Sequence, residues 1–554
     1  MLEEKKTSGN NFIAQAGILA AAGIISRIIG LLYRSPLSGI IGNLGLGYYG
    51  SAYTYYSIIL LISSYSIPSA ISKVIAQKLA LHEYKNAHRL FLGALFYVLV
   101  VGAVASAFLF FGAGLFVEDA AIPVLRMFAP TIFIYGILGV LRGYFQAHKS
   151  MVQTSVSQIF EQIANAVVSV GAAYLLIKLT MGTMEIPDDT AGQVLRAVRG
   201  AMGSALGTGT GVVVALIFML IMYIKARPEL KSRIKADTHE NKDSVGTIIK
   251  TITFIVTPFI LNTAIYNLSS SVNTKLYTEV YPGMKGLDLV DTTSKWGIFS
   301  GKSLTISNIP IAFASAMAAA MIPSIAQLVA AKKDDEAREK IDVAVKTTML
   351  ISIPCAVALF ILAGPVTVLL FPDAVRDLGL STGTLMALAV SVIFYALSTL
   401  NSSILQGLGK VNAPIINAGI ALVIQTGVAF VLLRFTSLDL YSIAIANIVY
   451  SFIMAVLNQL AVRKAIGYKQ EIMRTFVMTF VSSIIMGAVA FGVYKLVLLG
   501  VKSMRLAVIP AIIIAIPVYF VVIILTRAVT AEELADLPKG RLLVKVAKKF
   551  RLIK

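Results

Sequence analysis

"LFLGALFYVLVVGAVASAFLFFGAGLFV", residues 90–117, carries no charged side chain over its 28 positions. About 20 apolar residues cross the hydrocarbon of a bilayer at 1.5 Å per residue, so this run is long enough to span one. Comparable runs, bounded by charges, Pro and Gly, stand near 12–34, 48–72, 121–147, 152–178, 200–224, 248–274, 296–330, 343–371, 379–408, 412–434, 440–462, 473–499 and 504–527. The run at 296–330 is long and interrupted by Pro310 and Pro323. The chain is 57% hydrophobic and only 14% charged, too little charge to cover a soluble protein of 554 residues. These observations predict an all-α polytopic membrane protein with 14 transmembrane helices.

The net charge of +20 is explained by where the charges fall. An even helix count places both termini on one side. The terminal segments and even-to-odd connections hold most of the basic residues, so the positive-inside rule puts them in the cytoplasm. No nucleic-acid partner is needed. The basic tail "PKGRLLVKVAKKFRLIK" (538–554) reads as an interfacial helix on anionic lipid. The start "MLEEKKTSGNN" is polar, with both signs of charge, and the apolar run after it has no small-residue cleavage site. That run is expected to be a first span at the plasma membrane. The single cysteine, Cys355, sits in an apolar run and reads as a buried thiol. His82, His88, His148 and His239 fall in or beside polar connections without metal-ligand spacing, so neither a metal nor a cofactor is expected.

The polar stretch 225–247 divides the core. On either side of it, "IPSAISKVIAQKLALHEYKNAHRL" (67–90) and "IPSIAQLVAAKKDDEAREKI" (322–341) both place Ile-Pro-Ser before a short apolar run and a charged linker. "YFQAHKSMVQTSV" (144–156) and "ILQGLGKVNAPII" (404–416) make a second pair. Pro68 with Pro323 and Gln146 with Gln406 therefore argue for two parallel six-helix repeats. The expected organisation is an N-lobe (1–224, helices 1–6), a linker (225–247), a C-lobe (248–466, helices 7–12), helices 13–14 (467–530) and a basic tail (531–554).

At "ISRIIGLLYRSPLSGIIGNLGLGYYGSAY" (25–53), "IPSAISKVIA" (67–76), "LRGYFQAHKSMVQTSVSQIFEQIANA" (141–166) and "ILQGLGKVNAPIINAGIAL" (404–422), the chain resembles a known family. It is similar to the polysaccharide-exporter branch of the multidrug/oligosaccharidyl-lipid/polysaccharide (MOP) superfamily, nearest to stage V sporulation protein B and MurJ-type lipid II flippases of Firmicutes. The resemblance implies two lobes around a central cavity, alternating access, and transport of undecaprenyl-diphosphate-linked sugars, with helices 13 and 14 serving the lipid tail. It also places Arg27 at a cavity-lining "SR.IG" position, with Arg34 second. The second helix, "GSAYTYYSIILLISS" (50–64), lacks the arginine that Gram-negative members carry there.

Arg27 and Arg34 lie seven residues apart, about 20° apart around an ideal helix and about 10.5 Å along it. Straight counting from the cytoplasm puts Arg27 about two-thirds of the way across the bilayer's roughly 30 Å core. It puts Arg34 near the outer boundary, before Pro36, where a snorkelling interface role competes with cavity lining. Neither has a nearby carboxylate in sequence. Lys302, in "KWGIFSGKSLTISNIP" (295–310), sits at a depth similar to Arg27. Arg27, Arg34 and Lys302 are thus candidate ligands of a diphosphate, with Arg27 and Lys302 the preferred pair, one from each lobe. "SQIFEQIANA" aligns Gln158, Glu161, Gln162 and Asn165 on one helix face, lining a path or packing against helix 4. Asn262, Asn267 and Asn308 are candidate contacts for sugar hydroxyls, or for neighbouring helices. "GAMGSALGTGTG" (200–211) reads as a close-packing stripe.

The expected function is a monomeric flippase, not an enzyme, carrying a polyprenyl-diphosphate-linked sugar, lipid II foremost, to the outer leaflet. The alternatives are another polysaccharide, teichoic-acid or capsule precursor, or a cation-coupled multidrug exporter. An ion gradient or the membrane potential would drive it, the latter worth about 2.3 kcal/mol per charge per 100 mV.

Overall fold

The computed structural model describes residues 22–530 apart from 24, 66, 149, 184–188, 238–243, 245, 248–249 and 251–266. Asn262, the tail 531–554, the first part of the first expected span and most of the seventh lie outside the described residues. Among the described residues every regular element is helical. In order they are α1 (25–32), α2 (Arg34–Leu60), α3 (Ile67–Ala80), α4 (Tyr84–Phe111), α5 (Ile122–Ala147), α6 (Val152–Thr183), α7 (Thr190–Ala236) and α8 (267–275). Then follow α9 (Tyr281–Lys285), α10 (Leu289–Gly297), α11 (Leu304–Ala330), α12 (Asp334–Ile361), α13 (Ala363–Leu370), α14 (Leu378–Gly407), α15 (Asn412–Phe435), α16 (Leu440–Ile466), α17 (Thr479–Val501) and α18 (Met504–Leu525). Ten helices among the described residues are long and apolar enough to cross a membrane, and they coincide with the third to sixth and ninth to fourteenth expected spans.

The second and eighth spans are broken by wide helical turns, at Leu61–Tyr65 and Ile298–Ser303. Such π-type turns are common causes of a kink. Helix α7 outruns its expected bounds and runs through Pro228, and beyond it Glu229 pairs with Arg233 one turn on at 2.6 Å. Its end is fixed to the start of α4. The Lys85 backbone N–H donates to Asp237 Oδ2 at 2.7 Å, placing a carboxylate at a helix N-terminus.

The first span does not end at Arg34. The helical chain runs on to a corner at Gly42, whose backbone (φ 68, ψ 179) is in a region essentially reserved for glycine. Nothing lies within 4 Å of where its Cβ would be, so backbone conformation alone demands glycine there.

Similar turns recur at two pairs of positions in the chain. After α3, His82 has φ 59, and the Glu83 N–H returns to Lys78 O at 3.0 Å. After α11, Lys332 has φ 56, and the Lys333 N–H returns to Leu328 O at 3.0 Å. The helices that follow, α4 and α12, are both 28 residues long. After α5, Ser150 N–H bonds Phe145 O at 3.0 Å; after α14, Lys410 N–H bonds Leu405 O at 2.8 Å. The Gln146/Gln406 match agrees with these turns. The Ile-Pro-Ser match is out of register with them, since Pro68 stands fourteen residues before His82 and Pro323 nine before Lys332.

The chain divides into compact units at Met1–Gly297 and Ile298–Lys554, not at the polar linker. The reason is a backbone-to-backbone approach of α10 to α2. A Cβ on Gly47 would sit 2.1 Å from Thr293 O, and one on Gly297 1.9 Å from Asn43 O. The stripe of α7 is used in the same way against α6. A Cβ at Gly203 would lie 2.4 Å from Ala173 N, and one at Gly211 2.5 Å from Glu161 O. Between membrane helices such contact replaces the hydrophobic effect as the source of attraction. The outer faces are apolar: α4 exposes Leu92, Phe96, Val104, Phe108 and Phe111, and α18 exposes Leu506, Ile513 and Ile516.

Candidate substrate-binding surface

One helix breaks that apolar pattern. Among the less buried positions of α2 after its corner, Gly50, Tyr53, Thr54 and Ser57 form a line of small and polar residues at helical spacing, while Leu44, Ile59 and Leu60 pack against the core. Thr54 Oγ1 donates to Gly50 O at 2.9 Å and Ser57 Oγ to Thr54 O at 2.8 Å, so the hydroxyl protons are satisfied by their own helix. A helix that turns polar side chains outward in hydrocarbon costs free energy, so this line suits a wet path rather than lipid.

Arg34 stands at the head of this surface. Its guanidinium is hydrogen-bonded with Tyr33 and lies close enough to the Tyr49 and Tyr53 hydroxyls to interact with both. In a straight helix, Arg34 and Tyr49 would be about 22 Å apart. The corner at Gly42 folds the two segments together. Arg34 is therefore about 12 Å from the corner along the helical chain, and Arg27 about 22 Å from it. Arg27 is exposed and makes no ion pair with another described residue.

The tyrosines are held from behind. Asn165 Nδ2 donates to Tyr33 Oη at 3.4 Å, and Ser169 Oγ donates to Asn165 Oδ1 at 2.8 Å. Tyr49 Oη and Thr208 Oγ1 are 3.5 Å apart. Tyr49, Tyr53 and Tyr56 gather around Phe128, with ring centroids 5.4, 5.8 and 4.7 Å from it.

The polar face of α6 is mostly consumed internally. Glu161 Oε2 accepts from Arg142 at 2.7 Å, and Arg142 Nε donates to Ser157 Oγ at 2.9 Å. Arg142 is 4% exposed, so this is a buried pair, and Glu161 is not a free cavity acid. Arg142 falls within the fourth expected span, and spacing along the chain does not show its partnership with a residue of the next helix. Gln158 Oε1 is buried without a hydrogen-bond partner among the described residues, and Gln162 is half-buried with its Oε1 beside Gly30.

In the second unit, Lys302 is fully buried, and its ammonium donates to Asp373 Oδ2 at 2.6 Å. This corrects the expectation that Lys302 offers a free cation to a diphosphate. Asp373 lies in the short helical turn Pro372–Asp377 between α13 and α14, a connection the sequence reading left outside the membrane. The next residue, Ser303, bonds Thr384 Oγ1 at 2.8 Å, so this part of the helix is a packed seam. Asn308 is exposed on α11, and Asn267 is half-buried on α8. Further seams are built from amides, such as Asn401 to Gln459 at 3.0 Å and Asn458 to Ser402 at 2.8 Å.

Among the described residues no group of three or more His, Cys, Asp or Glu is placed to hold a metal ion. One carboxyl outside the spans is perturbed. Glu118 is pushed up to about 7, mainly by burial and further by the negative charges of Glu279 and Asp119, against a lowering hydrogen bond from Thr293.

The family model described as "Lipid II flippase MurJ" matches residues 85–510. The lipid II flippase MurJ of Bacillus subtilis (strain 168) is 23% identical over 489 residues, 84% of this chain and 86% of that protein. Stage V sporulation protein B of the same organism is 24% identical over 548 residues, 96% and 99% of the two chains. A solved structure of lipid II flippase MurJ in an inward closed conformation aligns with a TM-score of 0.65 at 15% identity, covering 91% of this chain and 97% of that one. The chain therefore belongs to the MurJ lipid II flippase family, as a polytopic helical membrane transporter and not an enzyme.

Proposed function

We propose that this protein flips a polyprenyl-diphosphate-linked saccharide, lipid II foremost, across the plasma membrane by alternating access. The observation that carries this reading is Arg34, a fixed cation beside the tyrosines at the head of a polar line on α2. A diphosphate is a matched ligand for a guanidinium. Arg27, exposed about two helical turns before Arg34, extends the positive surface along the same face. Lys302 is left out of the binding set, because Asp373 already neutralises it.

In this reading the termini lie in the cytoplasm, the protein acts as a monomer, and its basic tail rests on anionic lipid. An inside-negative potential then favours outward passage of the anionic headgroup, with an ion gradient as the other source of drive. A cation-coupled multidrug role fits less well, since the accessible charges on this surface are basic. The test is flipping of lipid II and of other diphosphate-linked lipids in vesicles containing the purified protein. Transport of lipid II that is abolished in Arg27→Ala with Arg34→Ala supports the reading. Undiminished transport in that double variant overturns it. Preferential transport of a different diphosphate-linked lipid assigns the same site to another wall or capsule precursor.

A further inference from the structure

The lipid-linked substrate has a sugar directly beside its diphosphate, and the surface beside Arg34 is aromatic. Tyr53 is 38% exposed in a helix whose other large side chains after the corner are mostly buried. Its ring is held on three sides. Tyr49 stacks on it at 5.8 Å with an interplanar angle of 14°, Phe128 meets it edge-on at 5.8 Å, and Tyr56 packs at 5.8 Å. Tyr49 and Tyr56 are themselves buried, and Phe128 is fully so. The Tyr53 ring is thus a rigid plate and not a mobile side chain.

Tyrosines at the bilayer surface commonly anchor a helix at the headgroup level. Tyr53 is not placed for that. It lies eleven residues past the corner at Gly42, about 16 Å farther along the helix, roughly half the thickness of a hydrocarbon core. Its neighbours on the exposed line, Gly50, Thr54 and Ser57, are small or polar, unlike the Phe, Leu and Ile of the lipid-facing helices.

We propose that Tyr53 is a stacking plate for the first sugar ring of the substrate, set beside Arg34 so that one site reads the diphosphate–sugar junction. The apolar C–H face of a pyranose lies flat on an aromatic ring, while the phosphate oxygens accept from the guanidinium. Tyr49, stacked behind Tyr53 and close to Arg34, is a positioning residue that keeps ring and cation in register. This rests on the flippase reading above and adds to it the residue that senses the saccharide.

The test is binding of two probes, lipid II and sugar-free undecaprenyl diphosphate, to the full-length protein in detergent. Tyr53→Leu is expected to weaken lipid II binding about three- to tenfold, the range of an aromatic stacking contact, while leaving undecaprenyl diphosphate binding unchanged. Tyr53→Phe keeps the ring and is expected to bind both probes as the native protein does. Because Tyr53 is exposed, neither change opens a core cavity, and an unaltered melting temperature confirms it. Equal weakening of both probes by Tyr53→Leu, or no change in either, overturns the stacking plate while leaving the flippase reading intact. Native protein that binds neither probe overturns both.

Discussion

The Arg34 guanidinium and the Tyr53 hydroxyl, nineteen residues apart in the chain, lie close enough to interact because the corner at Gly42 folds one span against the next. In the proposed function this relationship makes Arg34 the centre of the candidate binding surface. Removing the guanidinium removes charge-assisted hydrogen bonds of about 1.5–3 kcal/mol each. Arg34→Ala is therefore expected to lower lipid II flipping in reconstituted vesicles roughly ten- to hundredfold. Arg34→Lys, which keeps charge but not the forked donor, should fall between.

Gly42 carries the corner. Its φ of 68 and ψ of 179 strain any residue with a Cβ, at a cost of about 1–3 kcal/mol. Gly42→Ala should lower the melting temperature in detergent and weaken substrate binding together, since Arg34 and the tyrosines lose their register. Gly39→Ala on the same segment, exposed and with open space around its Cβ, is the matched control and should do neither.

Lys302 and Asp373 form a buried pair, with side chains 1% and 20% exposed. Breaking such a pair from one side costs about 3–5 kcal/mol, because a charge is left buried and alone. Lys302→Ala and Asp373→Ala should each destabilise the protein by that order in thermal unfolding. The double variant Lys302→Met with Asp373→Leu should recover much of the loss. Had Lys302 been a diphosphate ligand, the double variant would be as inactive as the single ones; the pairing predicts that it regains transport.

Glu118 accepts a hydrogen bond from Thr293 on α10 at 2.8 Å, with Glu279 and Asp119 as its acidic neighbours. Its carboxyl, pushed up to about 7, binds a proton in the folded state that the unfolded chain has already released above pH 4.5. Stability contributed by that proton is present below pH 4.5 and is lost as pH rises through 7. The melting temperature should fall over this window, and Glu118→Gln should flatten the slope. An identical slope in Glu118→Gln would assign the pH dependence to other groups.

The glycine stripe of α7, the apolar spans from the third onward and the second repeat match were legible from the sequence, because each depends on residues close in the chain. Helix periodicity and hydrophobic length are local properties. The candidate site was legible only in part. Arg34 stands out in the sequence, but the continuation of its helix to the corner at Gly42 does not. Asp373 escaped notice as the partner of Lys302, and Arg142 as that of Glu161, because each pair joins different helices. The line of tyrosines on α2 is plain in "GYYGSAYTYY" (47–56), yet its letters do not say which rings are buried and which one is exposed.

The sequence alone determined that this chain is a helical membrane transporter resembling lipid-linked sugar flippases. Apolar runs and basic connections are sufficient to place such a chain in a bilayer. Only the tertiary structure decided which side chains each charge meets. Lys302 and Glu161 are neutralised by Asp373 and Arg142, while Arg34 is turned toward three tyrosines. The physical reason is that ion pairing is governed by distances of a few ångströms between helices, and those distances are set by packing and by one glycine corner, not by spacing along the chain.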